Sequence, residues 1–136
     1  MMPRLGLHAL LGMVFMVGLG LGVGNAAPTT GSLVLLATAA PQPKALRVAP
    51  GRIVIWLNRT KYRPLTLTFD GSPSPDPSCP AGIGFVRRNS LVFTQPALPP
   101  GGTASLCFPA PGVYAYVVHG LGHPASGTVT VGGRLP

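Results

Sequence analysis

His119 and His123 stand four residues apart in a loop that also carries Gly120 and Gly122. Neutral imidazoles bind Cu(II) and Zn(II) through a ring nitrogen, so the pair is a candidate metal site. Two donors are too few for tight binding, and a third group or a second molecule would have to complete the set. The bland alternative, two solvent-facing loop side chains, needs no such completion. Cys79 and Cys107 are the only cysteines. A thiolate ligand calls for His or Met beside it, and neither cysteine has one close in sequence. In an oxidising compartment the two pair instead. Closing that loop stabilises a fold by roughly 3–4 kcal/mol in the chain-entropy model.

Arg59, Lys61 and Arg63 alternate with Thr60 and Tyr62. If this stretch is extended, three cations share one side, and Arg87 and Arg88 add charge from another turn. Such a set suits docking to an acidic partner or an anionic surface, where charge mainly speeds encounter. It also suits a plain solvated turn in a protein with few acids. Asp70 and Asp76 are the only side-chain carboxylates. Hydrolysis by paired carboxylates and a Ser-His-Asp arrangement therefore have no local support, and no enzyme is expected.

The chain has 136 residues, enough for one ordinary domain after its N-terminal segment. Arg4, an apolar glycine-rich run at residues 5–23 and the small residues Gly24-Asn25-Ala26 have the form of a secretory signal. A cut after Ala26 is favoured, because a cut after Ala27 would leave Pro28 directly behind the scissile bond. The alternative is an uncleaved membrane anchor, since about 19 apolar residues is near the length a bilayer needs. Residues 27–136 then form a single domain with nine basic side chains against two acidic ones. That balance attracts anionic envelope polymers, phospholipid headgroups or acidic proteins. Nucleic acid is not expected, since the chain reads as exported and lacks an aromatic-plus-basic recognition motif. A membrane enters only if the N-terminal segment is retained.

Seventeen prolines and 19 glycines punctuate short apolar runs, the pattern of an all-β sandwich or barrel. Strands are expected at residues 33–38, 45–48 and 52–58, the last apolar on both sides at its centre and so read as buried on two faces. Residues 65–69 alternate, with Leu65, Leu67 and Phe69 inward. Residues 71–82 hold four prolines besides Cys79 and read as a loop. Further strands are expected at 83–85, 91–94, 113–118 and 128–131, and around Leu106 and Phe108. The phase of that last segment turns Cys107 away from the core. Trp56, Tyr114 and Tyr116 fill central strand positions and read as core.

These segments, in this order, resemble the cupredoxin family of plastocyanin and amicyanin type, from Ala49 to Val131. Ala49-Pro50-Gly51-Arg52-Ile53-Val54-Ile55-Trp56-Leu57-Asn58 is similar to the family's "pGd.V.w.N" strand. Leu65 to Phe69 is similar to its "H-T-V-T-F" strand, and Pro111-Gly112-Val113-Tyr114-Ala115-Tyr116 to its "pG.Y.Y" element. Gly127-Thr128-Val129-Thr130-Val131 is similar to the closing "G.v.V" strand. The resemblance implies a Greek-key β-sandwich of seven to eight strands behind an N-terminal signal helix. It also implies where a type 1 copper site would take its two imidazoles, thiolate and weak axial ligand. Pro64 and Leu65 stand where the family has its first His, Val118 where it has its Cys, and Ala125 or Ser126 where an axial Met would sit. Only His123, followed by Pro124, has a counterpart among the ligands. An immunoglobulin-like sandwich fits less well, because Trp56 precedes both cysteines rather than lying between them. The expectation is an exported, secreted or periplasmic, module of the cell envelope without type 1 copper. It would bind a partner or serve a structural role, with no cofactor. A copper-binding, copper-delivery or electron-transfer protein using His119 and His123 is the alternative.

Overall fold

The computed structural model describes residues 29–37 and 39–132, so the N-terminal signal or anchor at 1–26 lies outside the described residues. Eleven strand segments fill that span: β1 (Thr29–Thr30), β2 (Leu33–Leu36), β3 (Pro41–Gln42), β4 (Ala45–Val48), β5 (Arg52–Asn58) and β6 (Thr66–Asp70), then β7 (Phe85–Arg88), β8 (Leu91–Thr94), β9 (Thr103–Phe108), β10 (Gly112–His119) and β11 (Ala125–Val131). They form two sheets, one ordered β1-β4-β11-β10-β6-β8-β7 and the other β3-β2-β5-β9. The result is the all-β Greek-key sandwich expected. The strand count exceeds seven to eight because β1 and β3 are two residues each, too short for alternation to mark them, and β3 starts on Pro41. Among the described residues no helix is long and apolar enough to cross a membrane.

The period-two pattern explains most of the packing. In β10, Tyr114, Tyr116 and Val118 are buried while the residues between them face outward. Two expectations need correction. The strand expected at 83–85 begins only at Phe85, because Gly84 takes φ +87° and breaks the extended run. Ile83 instead exchanges two backbone hydrogen bonds with Ser105. β5 is not buried on two faces: Ile53 and Ile55 are 39% and 38% exposed. The sandwich has only two layers, and among the described residues no element covers the outer side of β5 at Ile53 and Ile55. Leu33, the ladder partner of Ile55, is exposed beside it.

Aromatic rings occupy the centre. Trp56 meets Phe85 and Tyr116 edge-on at centroid distances of 5.6 Å, and Phe69 at 5.9 Å. Edge-on pairs contribute about 0.5–1.5 kcal/mol each beyond their buried area. Gly127 is what lets Tyr116 fit, since a Cβ there would overlap the phenol hydroxyl. Both Tyr116 Oη and Trp56 Nε1 are buried without a hydrogen-bond partner. Burial pushes the Tyr116 hydroxyl up to about 12, and the facing indole N–H offsets part of that rise without completing a hydrogen bond.

Replacing Tyr116 by phenylalanine should separate two effects of this hydroxyl. Below pH 10 the phenol is protonated in both states and pH has no effect through it. Between pH 10 and about 12 the unfolded chain releases the proton and the folded chain keeps it, so stability falls. At 1.36 kcal/mol per unit, the loss reaches about 2–3 kcal/mol. Tyr116→Phe should lack this alkaline loss. At neutral pH it should be more stable by about 1 kcal/mol, because no unpaired hydroxyl is desolvated. Urea unfolding at neutral and alkaline pH reads both effects.

Cys79 and Cys107 form the disulfide, with Cα atoms 6.1 Å apart. Leu106 and Phe108 are fully buried on either side of Cys107, so the bond lies on the outer side of β9, as the phase predicts. It holds a strap, residues 76–83, along the edge of β9 that β5 does not use. Ile83 N and Ser105 N each donate to the other's carbonyl, at 3.0 and 2.9 Å. Ser105 Oγ donates to Ala81 O at 2.7 Å. The start of the strap is fixed by Asp76, whose Oδ1 accepts from Ser78 N and Oγ. Those bonds hold the Asp76 carboxyl below the usual carboxylate range. Arg87 Nη2 donates to Pro75 O at 2.7 Å just before it.

Candidate functional site

At one end of the sandwich β5 stops, β6 starts, and β10 turns into β11. The loop at residues 59–64 lies there against the turn at 120–124. Its geometry is dictated by Asn58, whose side chain is fully buried. Asn58 Nδ2 donates to Arg63 O at 2.7 Å and to Leu98 O at 2.9 Å. Its Oδ1 accepts from Thr60 N at 2.9 Å and Thr60 Oγ1 at 2.7 Å. A buried amide with all these groups satisfied fixes a loop far more firmly than surface contacts do. Arg59 N also donates to Leu36 O at 2.9 Å, tying the loop to the end of β2.

The extended conformation considered for Arg59, Lys61 and Arg63 is therefore not formed. Thr60 is drawn in and buried, and the chain doubles back so that the Arg63 carbonyl faces Asn58. Arg59, Lys61, Tyr62 and Arg63 all remain exposed. Arg63 Nη1 reaches Gly120 O at 3.3 Å and so links the two loops. Gly120 takes φ +113°, and a Cβ there would press on Pro64 O and Leu65, which is why glycine stands at the contact. Sequence reasoning missed Asn58 and Thr60 as the hub. The signal was an Asn closing an apolar strand with Thr two residues on, the pattern of an Asx turn.

The structure does not gather all five candidate cations. β6 runs away from the loop end, and Arg88 pairs with Leu91, which pairs with Asp70 at the far end of β6. Arg87 and Arg88 thus sit about 10 and about 13 Å along the strands from Thr66, at about 3.3 Å per residue. Arg87 is engaged by Pro75 O, just before the strap, and Arg88 lies over the Phe93 ring at 5.6 Å.

The positions implied for the first His, for the Cys and, at Ala125, for the axial ligand hold hydrocarbon. Leu65 and Val118 are fully buried, and Ala125 is 8% exposed. Val118 is the ladder partner of both Leu67 and Ala125, and Leu65 bridges to Leu98, so these side chains continue the core to the loop end. Leu121, also buried, joins the same cluster. His123 is exposed, and its Nε2 donates to Ala39 O at 3.1 Å. His119 lies on the outer face of the larger sheet, opposite Thr66, at the rim of a shallow hollow of about 230 Å³ shared with Thr68, Val117 and Ser126. Both cysteines are oxidised to the disulfide. Among the described residues no three His, Cys, Asp or Glu side chains converge as a metal site. A trigonal imidazole–imidazole–thiolate set cannot be assembled from the residues at these positions.

No family model and no curated protein sequence matches the chain. Solved structures do share its fold. The copper-containing nitrite reductase of Thermus scotoductus is 20% identical over 88% of this chain, with a TM-score of 0.56. The chain spans only 25% of that enzyme's length. An oxidised mutant of amicyanin is 24% identical over 74% of this chain and 81% of its own, with a TM-score of 0.56. A copper(I) form of a second amicyanin mutant is 25% identical over 81% and 86%, with a TM-score of 0.55. The fold is cupredoxin-like, as its strand order and loop end also indicate.

Proposed function

We propose that the chain is an exported, non-enzymatic binding module of the cell envelope, a cupredoxin-like domain that works without type 1 copper. The observation carrying this reading is the buried hydrocarbon of Leu65, Val118 and Ala125 where the fold would place ligands. Sulfur and imidazole donors hold copper in such sites, and methyl groups cannot replace them. The disulfide fits an extracytoplasmic location, where thiols are oxidised. What remains for binding is the loop end, where a rigid backbone presents exposed Arg59, Lys61, Tyr62 and Arg63.

Metal analysis of protein purified from its native compartment, with a visible spectrum of the same sample, tests the reading. We expect substoichiometric copper and no intense thiolate-to-copper charge-transfer band. Stoichiometric copper with that band would overturn it. Copper bound without the band, and lost in a His119→Ala, His123→Ala variant, would favour metal handling by those two histidines.

A further inference from the structure

The loop end carries charge of one sign. Arg59, Lys61 and Arg63 are exposed there, and Tyr62 among them is 86% exposed. The two carboxylates lie towards the other end: Asp70 closes β6, and Asp76 bridges to Cys107 near the end of β9. The fold gains nothing from so exposed a tyrosine, whereas a ring with a polar tip suits the boundary between water and an apolar phase. Arg59, Thr60, Lys61, Tyr62 and Arg63 line an open hollow of about 410 Å³, roomy enough to admit a phosphodiester headgroup. Asn58 and Thr60 already fix the backbone beneath, so little order has to be imposed on contact.

We propose that this end docks on a bilayer surface rich in anionic phospholipid, with Arg59, Lys61 and Arg63 on headgroup phosphates and Tyr62 at headgroup level. The proposal rests on the reading of the domain as a binding module and names its partner. Three cations near such a surface give roughly a 100-fold preference for anionic over neutral bilayers.

Flotation of the full-length protein with phosphatidylcholine vesicles, with and without phosphatidylglycerol, tests this. Partition should favour the phosphatidylglycerol vesicles roughly 100-fold at low salt and lose that preference at high salt. The Arg59→Gln, Lys61→Gln, Arg63→Gln variant should lose it too, while Arg52→Gln, Arg88→Gln, at the other end, should keep it. In Tyr62→Trp, emission should shift to the blue and be quenched by brominated lipid, against a buried Trp56 that is not. Equal partition into both vesicles would overturn the proposal, as would equal loss per charge in the two glutamine variants. Displacement from vesicles by polyglutamate at matched charge, with the same dependence on the loop, would overturn it in favour of an acidic protein partner. None of these readouts depends on copper. A failure here leaves the copper-free reading standing, and a copper band would not move the lipid preference.

Discussion

Asn58→Ala should destabilise the fold by about 3–5 kcal/mol, the largest loss expected from one substitution near the loop end. The side chain is fully buried and makes four hydrogen bonds, two given and two accepted. Each is worth about 1 kcal/mol net, and an orphaned buried donor costs a further ~1–3 kcal/mol. Leu98 O keeps its bond from Leu65 N, and the single Thr60 Oγ1 proton, released from Asn58 Oδ1, can turn to Arg63 O at 3.0 Å. Thr60 N loses its acceptor, Asn58 Oδ1, so the penalty concentrates on the turn that presents Lys61 and Tyr62. Asn58→Asp separates shape from hydrogen bonding, because its carboxylate would face two carbonyl oxygens. Its loss should be at least as large, and should grow as pH rises through the carboxyl's ionisation. Urea midpoints of both variants, with vesicle flotation of the folded fraction, check this. A loss under about 1 kcal/mol would mean that the loop is held by other contacts.

Removing the disulfide in a Cys79→Ser, Cys107→Ser variant should cost about 3.5 kcal/mol, from the entropy of closing a loop of this length. The two cysteines are 28 residues apart. Most of the effect acts on the unfolded chain, which expands when the link is gone. The dependence of stability on urea should therefore steepen as well, because more surface is exposed on unfolding. Unchanged midpoints with and without reductant would show that the strap's own hydrogen bonds suffice.

Much of the scaffold was legible because its strands repeat a two-residue period. Leu65, Leu67 and Phe69 point inward as written, Trp56 and Tyr116 occupy the centre, and Cys107 faces away from the core. What escaped the sequence was set by tertiary context. The exposure of Ile53 and Ile55 depends on how many layers the domain has, which no local pattern records. The fold of residues 59–64 depends on Asn58 reaching Leu98, forty residues away, where alternation alone suggested an extended stretch. Arg87 and Arg88 were separable from the other cations only once β7 had a direction. His119 and His123 looked alike in sequence, yet one lies on a sheet face and the other against the Ala39 carbonyl.

The strap along β9 also guards against self-association. A strand at a sheet margin offers unpaired N–H and C=O groups to any other extended chain, and natural proteins shield such margins. Here Ile83 occupies the groups of Ser105, and Asp76 shields Cys107. Reduction leaves the strap held by hydrogen bonds alone, those of Ile83 with Ser105 and of Ser105 with Ala81 among them, so reduced protein that remains folded should open this margin more often and join edge to edge at a rate that scales with concentration.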